Sequence, residues 1–189
     1  GQAQLASGAF RRQLQRNLLL GTMQDAVATH LAGEYVGAFG EVGRRFDAAG
    51  IALTPYLGTQ YVQVANDGFS EVGTTGFGLR ANAWDSSRWQ GFAGLRAAHD
   101  WRVGAVDLRA DARAEWQQTL AANGELFDAS YVGIAQWAPL QGIGLARRSQ
   151  LFGIGLSAAF GHKATFRFDL SRRASTVGDS NMAALQAML

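Results

Sequence analysis

The residues from 106 to 117 read VDLRADARAEWQ, and every second one is apolar. Val106, Leu108, Ala110, Ala112, Ala114 and Trp116 share one parity; Asp107, Arg109, Asp111, Arg113, Glu115 and Gln117 share the other. Successive side chains of a strand point to opposite faces, so a period of two predicts a strand with one apolar and one charged face. The pattern recurs. In 164–173, Ala164, Phe166, Phe168 and Leu170 oppose Thr165, Arg167, Asp169, Ser171 and Arg173. In 88–97, Trp89, Gly91, Ala93, Leu95 and Ala97 oppose Arg88, Gln90, Phe92, Gly94 and Arg96. In 150–160, Phe152, Ile154, Leu156, Ala158 and Phe160 hold one face.

About ten strand-like segments follow from such patterns and the turn signals between them. They are 9–20, 34–46, 51–64, 76–84, 88–100, 106–117, 130–138, 150–160, 164–173 and 182–189. Short turns are expected at 47–50, 85–87, 102–104 and 161–162, and longer connections at 65–75, 118–129 and 139–149. Several segments run about 9–13 residues, against about 5–6 for a common globular strand. A tilted strand needs about 9–11 residues to cross a bilayer.

The contents of the two faces choose between a wet exterior and a wet interior. A soluble barrel turns its apolar face inward and covers its outside with lysine, glutamate and threonine. Here the polar face carries closely spaced opposite charges, glycine and glutamine, while Trp84, Trp89, Trp101, Trp116 and Trp137 fall near strand ends. Aromatic residues at strand ends are what a bilayer interface selects. The pattern therefore predicts an all-β, antiparallel, up-and-down transmembrane β-barrel whose apolar face meets lipid and whose charged face lines a wet lumen. A soluble β-barrel binding module with an apolar interior is the second reading, and an outer-membrane barrel enzyme the third.

Composition agrees with the first reading. Charged residues are 17% of the 189, below the usual ~25%. Glycine occurs 24 times, proline twice and cysteine not at all, which excludes disulfides, thiolate metal sites and cysteine nucleophiles. Lys163 is the sole lysine among 17 Lys and Arg. Arginine suits confined pairing with carboxylates because its fork bonds two oxygens at once, although a GC-rich genome also enriches it. Net charge is only +2, and arginines alternate with carboxylates, so no basic stripe for nucleic acid is present. No stretch reads as a signal peptide, and no apolar run approaches the ~18 residues of a spanning helix. Without a composition break, 1–189 reads as a single domain.

The stretch LTPYLGTQYVQVANDGFSEVG at 53–73 resembles the C-terminal translocator domain of autotransporters, the type V secretion proteins. Leu53, Pro55, Tyr56, Gly58, Tyr61, Asp67, Gly68, Phe69 and Glu71 carry the likeness. DSSRWQGFAGLRAAHDW at 85–101 and LFGIGLSAAFGHKATFRFDLS at 151–171 are similar to later strands of that family, in the same order. The resemblance implies a twelve-stranded barrel in the outer membrane of a Gram-negative bacterium, which anchors and exports a passenger polypeptide. Its implied partners are outer-membrane lipid, the passenger in cis, the barrel-assembly machinery and periplasmic chaperones. The family's barrel is longer than this chain and ends in an aromatic residue, whereas this chain ends AALQAML. The expectation is a fragment without the first strands, the inner linker helix and the last few residues.

Candidate chemistry is sparse. Arg88, Arg96, Asp107, Arg109, Asp111, Arg113, Glu115, Arg167 and Asp169 are the expected lumen-lining residues. Cross-strand pairing that holds the wall is their structural role, and tuning what passes is the functional one. Arg11, Arg12 and Arg16 read as the wet face of a strand. His30, His99 and His162 lack ligand spacing, no GxSxG elbow occurs, and the GIG sequences at 142–144 and 153–155 lack a phosphate-loop context. Those glycines read as sites of close strand approach. No cofactor, metal or catalytic set is expected.

Overall fold

A computed structural model describes every residue except 74–76, 135, 142–145, 162, 163 and 189, and the backbone alone of 20, 23 and 25. The long alternating segments form strands β1 (Gln2–Leu20), β2 (Met23–Gly43), β4 (Ile51–Asn66), β7 (Trp84–Val103), β8 (Val106–Asn123), β11 (Arg148–Phe160), β12 (Ala164–Ser175) and β13 (Ser180–Met188). They pair in that order in one antiparallel sheet, the wall. The short β3 (Phe46–Ala48) also pairs with β4, and it continues the β2–β4 register past Arg44 and Arg45. The interruption lies opposite Pro55: Arg44 donates its N–H to the Pro55 carbonyl, but proline has no N–H to return.

Eight of the ten expected segments build the wall. The other two differ. Segment 76–84 contributes β6 (Leu79–Ala81), and 130–138 overlaps the ends of β9 (Leu126–Tyr131) and β10 (Ala138–Gln141). With β5 (Phe69–Ser70) these form a second sheet in the order β10-β9-β6-β5. It abuts β2, where Val72 and Ala28 exchange backbone hydrogen bonds. Periodicity reports that a segment is a strand, not which sheet it joins. The expected turn at 85–87 is likewise strand, inside β7. Residues 23–33, read as no element, lengthen β2 and give it a ladder with β1 running to Leu20↔Met23.

These differences tidy the topology. Short reversals at Ala49–Gly50, Gly104 and Gly161, all with positive φ, lie at one end of the wall. The turn at 21–22, the turn at 176–179 and the two long connections 67–83 and 124–147 lie at the other. The longer connection expected at 118–129 lies at the long-loop end, because 130–138 does not cross the wall.

The wall has no apolar core in the soluble sense. On its apolar face Leu57 is 61% exposed, Ile154 59% and Phe152 48%, while Glu41 and Gln117 on the polar face are 8% exposed and Ser149 5%. The covered face is the polar one. A soluble barrel with an apolar interior requires the reverse, so that reading fails. The sheet is curled and open: among the described residues β1 pairs with β2 alone and β13 with β12 alone.

Candidate functional site

The polar face is held together by side chains that reach over a whole strand. Three of these reaches pass a glycine. Phe39 of β2 stacks on Phe92 of β7, centroids 5.4 Å apart, across Gly58 of β4. The Tyr56 hydroxyl of β4 donates to Glu115 of β8 at 2.7 Å across β7. A Cβ at Gly94 would lie 2.5 Å from that hydroxyl. Arg167 of β12 donates to Asp111 of β8 at 3.0 Å across β11, and to its own-strand neighbour Asp169 at 2.6 Å. A Cβ at Gly155 would sit 2.6 Å from the Arg167 guanidinium and 2.8 Å from the Asp111 carboxylate. Glycine in a strand interior ordinarily weakens it; here it opens the surface so that two strands once removed can touch. The reading of the 153–155 glycines as close-approach sites holds at Gly155. A Cβ at Gly153 would meet nothing nearer than 3.7 Å.

The nine expected lining residues share this face, but not the expected partners. Arg96 forks onto Glu41 with two bonds of 2.6 Å. Arg109 pairs with Asp100 at 3.2 Å, and Asp107 with Arg102 at 2.5 Å. Arg88 donates to Thr119 and to the Ala146 carbonyl, both at 2.8 Å. Glu115 also accepts from Gln117, whose own oxygen takes bonds from Ser149 at 2.9 Å and from Arg173 at 3.1 Å. Arg167 with Asp111 and Asp169 matches the expected pairing. Arg113 makes no hydrogen bond or ion pair among the described residues.

Sequence reasoning missed Glu41, Tyr56, Asp100, Gln117 and Arg173. Parity puts Gln117 and Arg173 on this face without a role, and it could have placed Glu41, Tyr56 and Asp100 there too. Their partners lie up to 59 positions away, which no local spacing reveals. Of the three arginines expected on the wet face of β1, Arg12 and Arg16 share the face of Glu41 and Arg11 lies on the opposite one, since adjacent strand residues alternate; Arg16 pairs with Glu71 at 2.6 Å.

The aromatic residues divide. Trp89, Trp101 and Trp116 sit on the apolar face with Leu95 and Ala114. Trp89 and Trp101 are 12 positions apart on β7. That is about 40 Å along a strand, and about 28 Å of height once tilted by about 45°, close to a bilayer's hydrocarbon thickness. Trp84 instead shares the polar parity and stacks on Phe127 at 4.9 Å, and Trp137 lies under Arg80 at 5.0 Å. These two leave the expected girdle for the loop end. His99 stacks on Trp101 and faces the Gly50 carbonyl, and His162 lies outside the described residues, as does 142–144.

A curled antiparallel wall with its charges paired on the concave face, apolar side chains on the convex face and tryptophans banding it defines an outer-membrane β-barrel protein. A family model described as the autotransporter beta-domain matches residues 1–171. The chain belongs to that family, which is not an enzyme family and resides in the outer membrane of Gram-negative bacteria. Among solved structures, the translocator domain of autotransporter NalP from Neisseria meningitidis is similar in fold, with a TM-score of 0.65 at 18% identity. The match covers 98% of this chain and 57% of that one, so the chain spans little more than half the length of that domain. No curated protein matches.

Proposed function

We propose that this chain, as a single domain, is part of the wall of a translocator that anchors a passenger polypeptide to the outer membrane and exports it through a polar lumen. One observation carries the reading: the covered, hydrogen-bonded face is the charged one, and the exposed face is the apolar one. Lipid requires backbone groups to be paired within the protein, and a long antiparallel wall meets that demand along its length. The nine lining residues with Glu41, Tyr56 and Gln117 give the lumen a rigid polar surface. They need no cofactor, and the chain carries out no catalysis of its own. The passenger in cis and the lipid are its working partners, the barrel-assembly machinery and periplasmic chaperones insert it, and nucleic acid is no partner. Of the two ends, the one with short reversals faces the periplasm, since barrels keep short turns there and long loops outside.

Surface display tests this. In the full-length protein expressed in a Gram-negative host, protease added to intact cells should remove the passenger and leave a membrane-embedded fragment that contains this chain. A passenger that stays protected on intact cells and becomes cleavable only after the outer membrane is opened overturns the export reading.

A further inference from the structure

Arg96 and Arg113 are direct partners in the β7–β8 ladder. Like charges directly opposite on a sheet destabilise it. Arg96 relieves the contact by turning to Glu41. Arg113 makes no hydrogen bond or ion pair among the described residues, and the Glu41 carboxylate, already forked by Arg96, reaches it only through its field. The carboxylates two positions either side of it on the same face are engaged elsewhere, Asp111 with Arg167 and Glu115 with Tyr56 and Gln117. On its other flank the ladder places Gly153 opposite, which offers no side chain. The guanidinium stands exposed in a concavity of about 550 Å³. Four other arginines line the same space, Arg45, Arg96, Arg109 and Arg167, and each is paired. Of these five arginines the wall gives four an ion pair and leaves Arg113 without one among the described residues.

We propose that Arg113 is an anion-receiving site of the lumen that takes carboxylate side chains of a polypeptide segment inside it. The inference rests on the reading of the concave face as a polypeptide-holding lumen. A guanidinium fork binds a carboxylate through two oxygens, and a carboxylate brought to Arg113 also offsets the like charge on its rung. The site is kept for an incoming charge, at the expense of the empty wall.

The test titrates fluorescent hexaglutamate, and hexalysine for comparison, into the full-length protein folded in detergent. Hexaglutamate should bind about ten-fold or more tightly than hexalysine, and Arg113→Gln should weaken it by about ten-fold. Arg113→Lys, which keeps the charge, should retain most of the binding. Arg113→Gln should also unfold at the same temperature as the parent or a higher one, because the like-charge rung is gone; a merely structural arginine would give the opposite shift. The proposal is overturned if folded Arg113→Gln binds hexaglutamate as the parent does, if the parent prefers hexalysine, or if both variants lose binding together with a lowered unfolding temperature. Failure of surface display with this binding intact would remove the export reading and leave the site.

Discussion

The wall at β8, β11 and β12 and the small sheet at β5, β6, β9 and β10 are both antiparallel, yet they are stabilised by different things. In the wall, ladders of twelve and thirteen rungs run without a slip, and side chains on one face bridge strands once removed. In the small sheet the ladders are two to four rungs long, and aromatic contacts such as Phe77 with Tyr131 and Trp84 with Phe127 supply the packing. A wall strand is fixed by its neighbours along its whole length. A loop strand is fixed by a few rings at the mouth. Substitutions should therefore be felt throughout the barrel in one region and locally in the other.

The largest effect is expected at Gly155. Gly155→Val would drive a side chain into the Arg167–Asp111 pair and cost about 2–3 kcal/mol of packing strain. The folded, heat-modifiable band should be lost or shifted to much lower denaturant, while Gly153→Ala, two positions away on the same face, should fold as the parent does. Equal behaviour of the two would show that the bridge over β11 does not hold the wall.

Next is the bridge itself. Asp111→Ala removes one of two carboxylates from Arg167, whose side chain is 33% exposed. It should lower stability by about 1–2 kcal/mol, measured as the denaturant midpoint of the gel shift. Asp107→Ala at the exposed Arg102 pair should leave that midpoint unchanged, because a surface ion pair contributes little.

A smaller effect is expected at the mouth. Trp137→Ala removes the ring beneath Arg80, a contact of about 0.5–1 kcal/mol. The barrel's midpoint should stay where it is, and limited proteolysis should become faster within 124–147 alone. A shift of the global midpoint would mean that the small sheet is part of the cooperative unit.

The smallest effect is a pH dependence at the 176–179 turn. The hydrogen bond from Arg172 to Asp179, helped by the Ser175 N–H, holds that carboxyl below its ordinary pKa. A depressed carboxylate stabilises the folded turn above its unfolded pKa of about 3.9, and that contribution is lost as pH falls through the lower folded value. Amide exchange at 175–178, corrected for its intrinsic rate, should therefore show less protection at pH 3 than at pH 6. Asp179→Asn should abolish the difference.

Much of the wall was legible beforehand because its information is local. Whether residue 108 points with 106 or against it depends only on the strand's pleat, so twelve alternating residues state both faces of β8. That the nine expected lining residues share one polar face was legible for the same reason. Their partners were not. Arg113 and Arg167 look equivalent on the page, each near carboxylates on its own strand. Only the register, with Gly155 between Asp111 and Asp169 and Arg96 opposite Arg113, pairs one and isolates the other.

By itself, then, the chain's alternation determined that it makes long strands with one lipid-compatible face and one charged face, since that follows from each residue's relation to the next. The tertiary structure decided that 76–84 and 130–138 leave the wall, that Glu41 and Tyr56 bond across strands on the polar face, and that Arg113 has no hydrogen bond or ion pair among the described residues. Those outcomes depend on which strand lies beside which and at what offset. Turns and ladder hydrogen bonds between distant residues set that offset, and no period within a single strand encodes it.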